Sequence, residues 1–202
     1  MIDTLKGDIG LNNIHLIYSG RGYHIRILDE EIMDSNSDLR SEILKYVAGA
    51  EVPKLEYSNT LESGARYAFE HFSIPIGYPK VFTDRCKFNI QHLTGTEEIE
   101  GINQKLLKDI IKNRELLEDN QWGIFKSKIG PRRYKNMVNA ISRVNIATID
   151  AKVTIDLKRI LRLPTSLHSK VSMKCVEVKD REWFNPLDDA VPKFVGERKE
   201  KK

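Results

Sequence analysis

Two short apolar runs separated by four residues constrain this chain more than any other feature. Ile14-His15-Leu16-Ile17-Tyr18 is apolar except for one histidine, and Tyr23-His24-Ile25-Arg26-Ile27-Leu28 alternates polar and apolar side chains after His24. Such runs are too short for a buried helix and suit strands, whose side chains point alternately to the two faces of a sheet. Between them lies Ser19-Gly20-Arg21-Gly22, a turn with two glycines. Strand, glycine turn and strand together predict a hairpin.

Downstream the apolar period lengthens. Ser35 or Asn36 is placed to cap a helix running to about Ala48, with Leu39, Ile43, Leu44 and Val47 on one face. Thr60 to His71 reads as a further helix, Ile74 to Pro79 as loop, and Val81 to Leu93 fits either a helix or a short strand. Ile99, Ile102, Leu106, Ile110, Ile111 and Leu117 recur at helical spacing and predict a helix from Glu97 to Leu117. Pro131 stands where a helix begins, ahead of Arg132 to Val144. Upstream of the hairpin, Ile2 to Gly10 reads as a helix ending at a glycine.

From Ile149 the pattern changes again. Asp150 to Thr154 is expected as a short strand, Asp156 to Leu163 as a basic helix, Pro164 to His168 as a turn and Val171 to Val178 as a strand. The fold class that follows is α/β, mixed α+β, with strands towards both ends and a helical middle. The expected divisions are 1–34, a strand–turn–strand; 35–145, mainly helical; 146–195, the remainder of the first domain; and 196–202, a charged tail.

Composition narrows the class of partner. With 33 Lys and Arg against 29 Asp and Glu the net charge is +4, which permits a nucleic-acid partner without requiring one. Cys86 and Cys175 lie far apart and form no CxxC pair, so a zinc site within the chain is not expected. No apolar run approaches a membrane span and the first residues are polar, so a reduced, cytoplasmic setting is expected.

Two stretches carry chemistry. In Ser19 to His24 a tight turn brings backbone amides, the Arg21 guanidinium, the Ser19 hydroxyl and the His24 ring within reach of one ligand. Arg21 is suited to phosphate, which a guanidinium meets through two parallel hydrogen bonds. A purely structural hairpin turn is the other reading. In Asp150 to Met173, an aspartate, a run of basic side chains including Arg159 and Arg162, and a proline turn with Ser166, His168 and Lys170 fall within one short unit. A carboxylate for a hard cation and cations for phosphate suit a metal–triphosphate site. A capping aspartate beside a solvated basic face is the alternative.

The blocks YSGRGYHI and RLPTSLHSK, in this order and with Asp150 ahead of the second, resemble the signature blocks of the archaeal and eukaryotic DNA primase small subunit, the catalytic subunit. The resemblance extends to Trp183-Phe184-Asn185-Pro186-Leu187 and Val191-Pro192-Lys193-Phe194 near the end. It implies the archaeo-eukaryotic primase fold and synthesis of short RNA primers on a single-stranded DNA template by two-metal nucleotidyl transfer. The cofactor would be Mg²⁺ or Mn²⁺, and the partners a primase large subunit and nucleoside triphosphates. Asp150 matches the third metal-holding carboxylate. Ser19, Arg21 and His24 match the nucleotide-phosphate block. Arg162 and His168 match groups near the triphosphate, and Lys170 follows in the same loop.

The departure lies ahead of the first block. The family carries an Asp-x-Asp pair and a Cys/His zinc module there, and here Asp3 and Asp8 stand at a different spacing. The chain is therefore expected to be the C-terminal portion of such a subunit, with an incomplete metal site, no zinc module and little polymerase activity alone. Two other readings are a non-catalytic nucleotide- or nucleic-acid-binding remnant and a primase-like polymerase of end-joining repair. Separately, Lys126, Lys128, Arg132, Arg133 and Lys135 cluster around Gly130-Pro131 with Trp122, Phe125 and Tyr134 interleaved. Basic groups mixed with aromatic rings suit a single strand, and a solvated loop and helix start is the plainer reading.

Overall fold

The computed structural model describes residues 1–53, 72, 74–156, 158 and 160–195. The chain separates into two compact units, one of residues 2–36 and 156–202, the other of Met1 and 37–155. The expected helix from Thr60 to His71 and the charged tail from Gly196 lie outside the described residues.

The first unit is built on the hairpin. Strand β1 (Ile14–Tyr18) pairs antiparallel with β2 (Tyr23–Ile27), and β3 (Val176–Glu177) joins the other edge of β1 to give the order β2-β1-β3. The register sets Leu16 opposite Ile25 and Tyr18 opposite Tyr23 and Val176. These side chains share one face of the sheet, since residues two apart point the same way. That face is the core of the unit: Tyr18, Val178 and Ala190 are buried, with Leu16, Met173, Val176 and Phe184 packed around them. The rings of Tyr18 and Phe184 lie 5.6 Å apart, which draws the WFNPL segment onto the sheet. Helix α1 (Ile2–Gly7) buries Leu5, and a short helix α2 (Glu30–Met33) follows β2.

The second unit is helical: α3 (Ser37–Ala48), α4 (Gly77–Gln91), α5 (Gln104–Asn113), a 3₁₀ turn (Arg114–Leu117), α6 (Trp122–Ile129), α7 (Pro131–Ala147) and α8 (Ala151–Ile155). Phe82, Ile90, Leu107, Ile110, Phe125 and Ile141 are almost fully excluded from solvent at its centre, and Phe72 stacks on Trp122 with ring centroids 3.9 Å apart. Val81 to Leu93, open between helix and strand from its sequence, is helical through Gln91. The Glu97–Leu117 helix starts later than its periodicity indicates. Asn103 caps it by accepting from the Leu106 amide at 2.8 Å, while Ile99 and Ile102 form an isolated bridge ahead of it. A capping side chain satisfies an orphan amide, so apolar spacing does not carry the helix across it.

Two expectations near the C-terminal end are overturned. Asp150 to Thr154 is not a strand: Ala151–Ile155 forms α8, with the Val153 amide donating to the Asp150 carbonyl. Asp156 to Leu163 is not a helix among its described residues, because the Asp156 carboxylate accepts from the Lys158 amide at 3.0 Å and turns the chain. Aspartate offers the backbone that local alternative to helix. The expected strand from Val171 to Val178 contracts to Val176–Glu177. One short helix, α9 (Pro186–Asp189), starts from an Asn185 cap. No described helix is long and apolar enough to cross a membrane.

Candidate functional site

The hairpin register that makes one sheet face apolar makes the other polar. His15 stands opposite Arg26, and Ile17 opposite both His24 and Glu177. His15 is committed locally, its Nδ1 lying 2.6 Å from Glu177 Oε1 and its Nε2 2.9 Å from Asn13 Oδ1. The first of these hydrogen bonds holds the Glu177 carboxyl below its usual range. The rest of the face borders an open cleft of about 100 Å³ lined by Ile17, Ser19, His24, Arg26, Ile160, Leu161 and Arg162. Two guanidinium groups and an imidazole look onto it, and no Asp or Glu is among its lining residues.

The turn between the strands is closed by Ser19. Its amide donates to the Gly22 carbonyl at 2.8 Å and its hydroxyl to the same oxygen at 2.9 Å. The hydroxyl proton expected to face a ligand is therefore held by the turn, which leaves Ser19 as an acceptor. Arg21 is exposed at the tip.

The RLPTSLHSK stretch is one arm of a second, irregular hairpin. Thr165 N–H donates to the Cys175 carbonyl, Cys175 N–H to the Ser166 carbonyl and His168 N–H to the Met173 carbonyl, at 2.7 to 2.8 Å. Cys175 is buried at the base of this arm, and burial pushes its thiol pKa upward. The returning arm runs into β3, so the sheet carries both signature blocks. Thr165, at φ 73°, occupies the left-handed region that a β-branched side chain avoids. Such strain persists only where surrounding bonds impose it.

His168 is the most enclosed of the candidate residues beside Ser19, each with 6% exposure. Its Nδ1 accepts from the Lys170 amide at 3.2 Å. A neutral imidazole accepting at Nδ1 carries its proton on Nε2, so the ring is set to donate from Nε2. The Lys170 side chain is exposed.

The structure thus gathers Ser19, His24 and Arg162 around one cleft, sets His168 against the turn through Gly20, and leaves Arg21 and Lys170 exposed on the adjoining loops. Asp150 belongs to the helical unit, exposed just ahead of α8. The motif reading passes over Arg26, which lines the same cleft and donates through Nη2 to the Arg162 carbonyl. Its two-residue spacing from His24 in an alternating strand is the signal that finds it. As for a metal, no group of three or more His, Cys, Asp or Glu side chains able to hold an ion exists among the described residues. Asp150 by itself does not fit a two-metal centre.

A mixed α/β protein with a cationic cleft on one sheet face, built from donors and fed by two loops, defines a class suited to binding phosphate groups. The comparisons with known proteins make this specific. A family model described as DNA primase small subunit matches residues 1–180. The DNA primase small subunit PriS of Methanobrevibacter smithii is 69% identical over 200 residues, covering 99% of this chain and 62% of that protein. Its counterpart in Methanothermobacter thermautotrophicus is 56% identical over 198 residues, covering 98% and 60%. That of Thermococcus sibiricus is 35% identical over 200 residues, covering 94% and 56%. The chain belongs to the DNA primase small subunit family, and it spans under two thirds of the length of these relatives.

Proposed function

We propose that this chain carries the triphosphate-binding part of a primase small subunit, which joins ribonucleotides into short primers on single-stranded DNA during replication. The observation that supports the reading is the convergence of His24, Arg26 and Arg162 on one cleft without a carboxylate among its lining residues. In the proposed reaction a 3′-hydroxyl oxygen attacks the α-phosphorus and gives up its proton to solvent, the bond from that phosphorus to the β-bridging oxygen breaks, and pyrophosphate leaves. Negative charge collects on the leaving group. Arg162, His24 and the Nε2–H of His168 would bind that charge, with Arg21 and Lys170 closing over it from the loops.

Mg²⁺ or Mn²⁺ would serve the same reaction, and Asp150 is the ligand this chain would contribute. Apart from Asp150, the chemistry assigned to the described residues is phosphate binding. A primase large subunit, the single-stranded template and nucleoside triphosphates are the partners of this proposal, and the replication machinery in the cytoplasm its setting.

Binding of ATP to the full chain, followed by titration calorimetry, tests the reading. Arg162→Ala and His168→Ala are each expected to weaken binding about tenfold or more, the loss of a charge-assisted hydrogen bond. Affinities unchanged in both variants would sink it.

A further inference from the structure

The cationic excess of this chain does not sit on the candidate cleft. Between Gln104 and Ala147 there are ten Lys and Arg against four Asp and Glu, a net +6 where the whole chain carries +4. Lys105, Lys108 and Lys112 recur at three- and four-residue spacing along α5. Lys128 lies at the end of α6, and Arg132 and Lys135 in the first turns of α7. Helix α6 packs against both α5 and α7, and the bond from Arg133 to Asp109 at 2.6 Å ties the start of α7 to the middle of α5. It also consumes the one acid on α5, while Glu115, Glu118 and Asp119 follow in and after the 3₁₀ turn. Among the described residues none of these six cations forms an ion pair.

Stability does not account for this arrangement. The first turn of a helix presents the positive end of its dipole and favours acidic side chains. Helix α7 has none there, and carries Arg132 and Arg133 instead. Protein–protein interfaces are built around an apolar centre. Between residues 104 and 147 the only exposed large apolar side chain is Ile124. The three aromatic residues interleaved with the basic cluster are buried: Trp122 at 4%, Phe125 at 0% and Tyr134 at 6% exposure. They fill the core and offer no ring to a base, so these three rings form no single-strand stacking surface.

We propose that the exposed α5–α6–α7 face binds the phosphodiester backbone of a nucleic acid by charge alone, without stacking or reading its bases. None of its residues lines the cleft, and it holds whether or not the cleft binds a triphosphate.

The test is anisotropy of a fluorescent oligothymidylate bound to the full chain over a series of KCl concentrations. The variant Lys105→Gln/Lys112→Gln/Arg132→Gln/Lys135→Gln is expected to flatten the log affinity–log salt slope by about 0.7 for each phosphate no longer neutralised, about 3 in all. Its melting temperature reports folding. Should it not fold, Arg132→Glu is read instead, with an expected slope change of about 1. A base-free phosphodiester strand of equal length is expected to bind within about threefold of oligothymidylate, where stacking would cost about tenfold or more. An unchanged slope, a strong loss on removing the bases, or competition by polyglutamate as effective as that by the oligonucleotide would each overturn the proposal.

Discussion

At Gly20 the turn and the second signature block meet. Its φ of 93° is in the left-handed region, and a Cβ placed there would lie 2.7 Å from the His168 Cβ and 3.2 Å from the Met173 carbonyl oxygen. Only hydrogen fits, and the fit holds the His168 arm against the hairpin. Gly20→Ala combines unfavourable backbone geometry with a clash against the His168 arm. The expected loss is about 1–3 kcal/mol in urea unfolding, together with weaker ATP binding because His168 is displaced. Unchanged stability would show that the arm is not seated on the turn. The same pair shows what single residues disclose in advance. A glycine in a short turn announces an unusual backbone. That it leans on a histidine in a distant block does not follow from any local pattern.

Among the elements, α7 organises the helical unit from one buried amide. Asn145 is fully buried, donates to the Gly49 carbonyl at 2.7 Å and accepts from Asn89 Nδ2 at 2.6 Å. It thereby links α7 to the end of α3 and to α4. The Cys86 thiol packs beside it, and burial pushes that thiol up to about 12. Asn145→Ala leaves a buried carbonyl and a buried amide without partners, and a loss of about 2–4 kcal/mol is expected in denaturant unfolding. Less than about 0.5 kcal/mol would mean the network is dispensable. Element boundaries were legible where period and cap agree, as at Pro131. They were not legible at Asp150 to Leu163, where the Asp150 carbonyl accepts from the Val153 amide at the start of α8 and the Asp156 carboxylate takes the Lys158 amide beyond its end. No periodicity reports that competition.

For the whole molecule, Asp150 is the one residue that the resemblance to the family offers as a metal ligand. Two hard cations each seek about six oxygen ligands, and a lone carboxylate cannot fix both. The 202-residue chain alone is therefore expected to make few or no primers on a polypyrimidine template with Mn²⁺, measured by incorporation of labelled nucleotide. Robust synthesis would show that the metal ligands lie elsewhere in it. By itself the sequence determined the hairpin, the helical middle, the family and the donor-rich character of both signature blocks. These rest on side-chain period, turn chemistry and short motifs, which are local properties. Tertiary structure decided which donors converge. It added Arg26 to the cleft through strand pairing, took the Ser19 proton for the turn and fixed the ring proton of His168. It also buried Trp122, Phe125 and Tyr134, whose spacing among basic residues had left a single-strand surface open. Each of these depends on which atom lies opposite which across the sheet or the core, and that register is set only when distant segments pack.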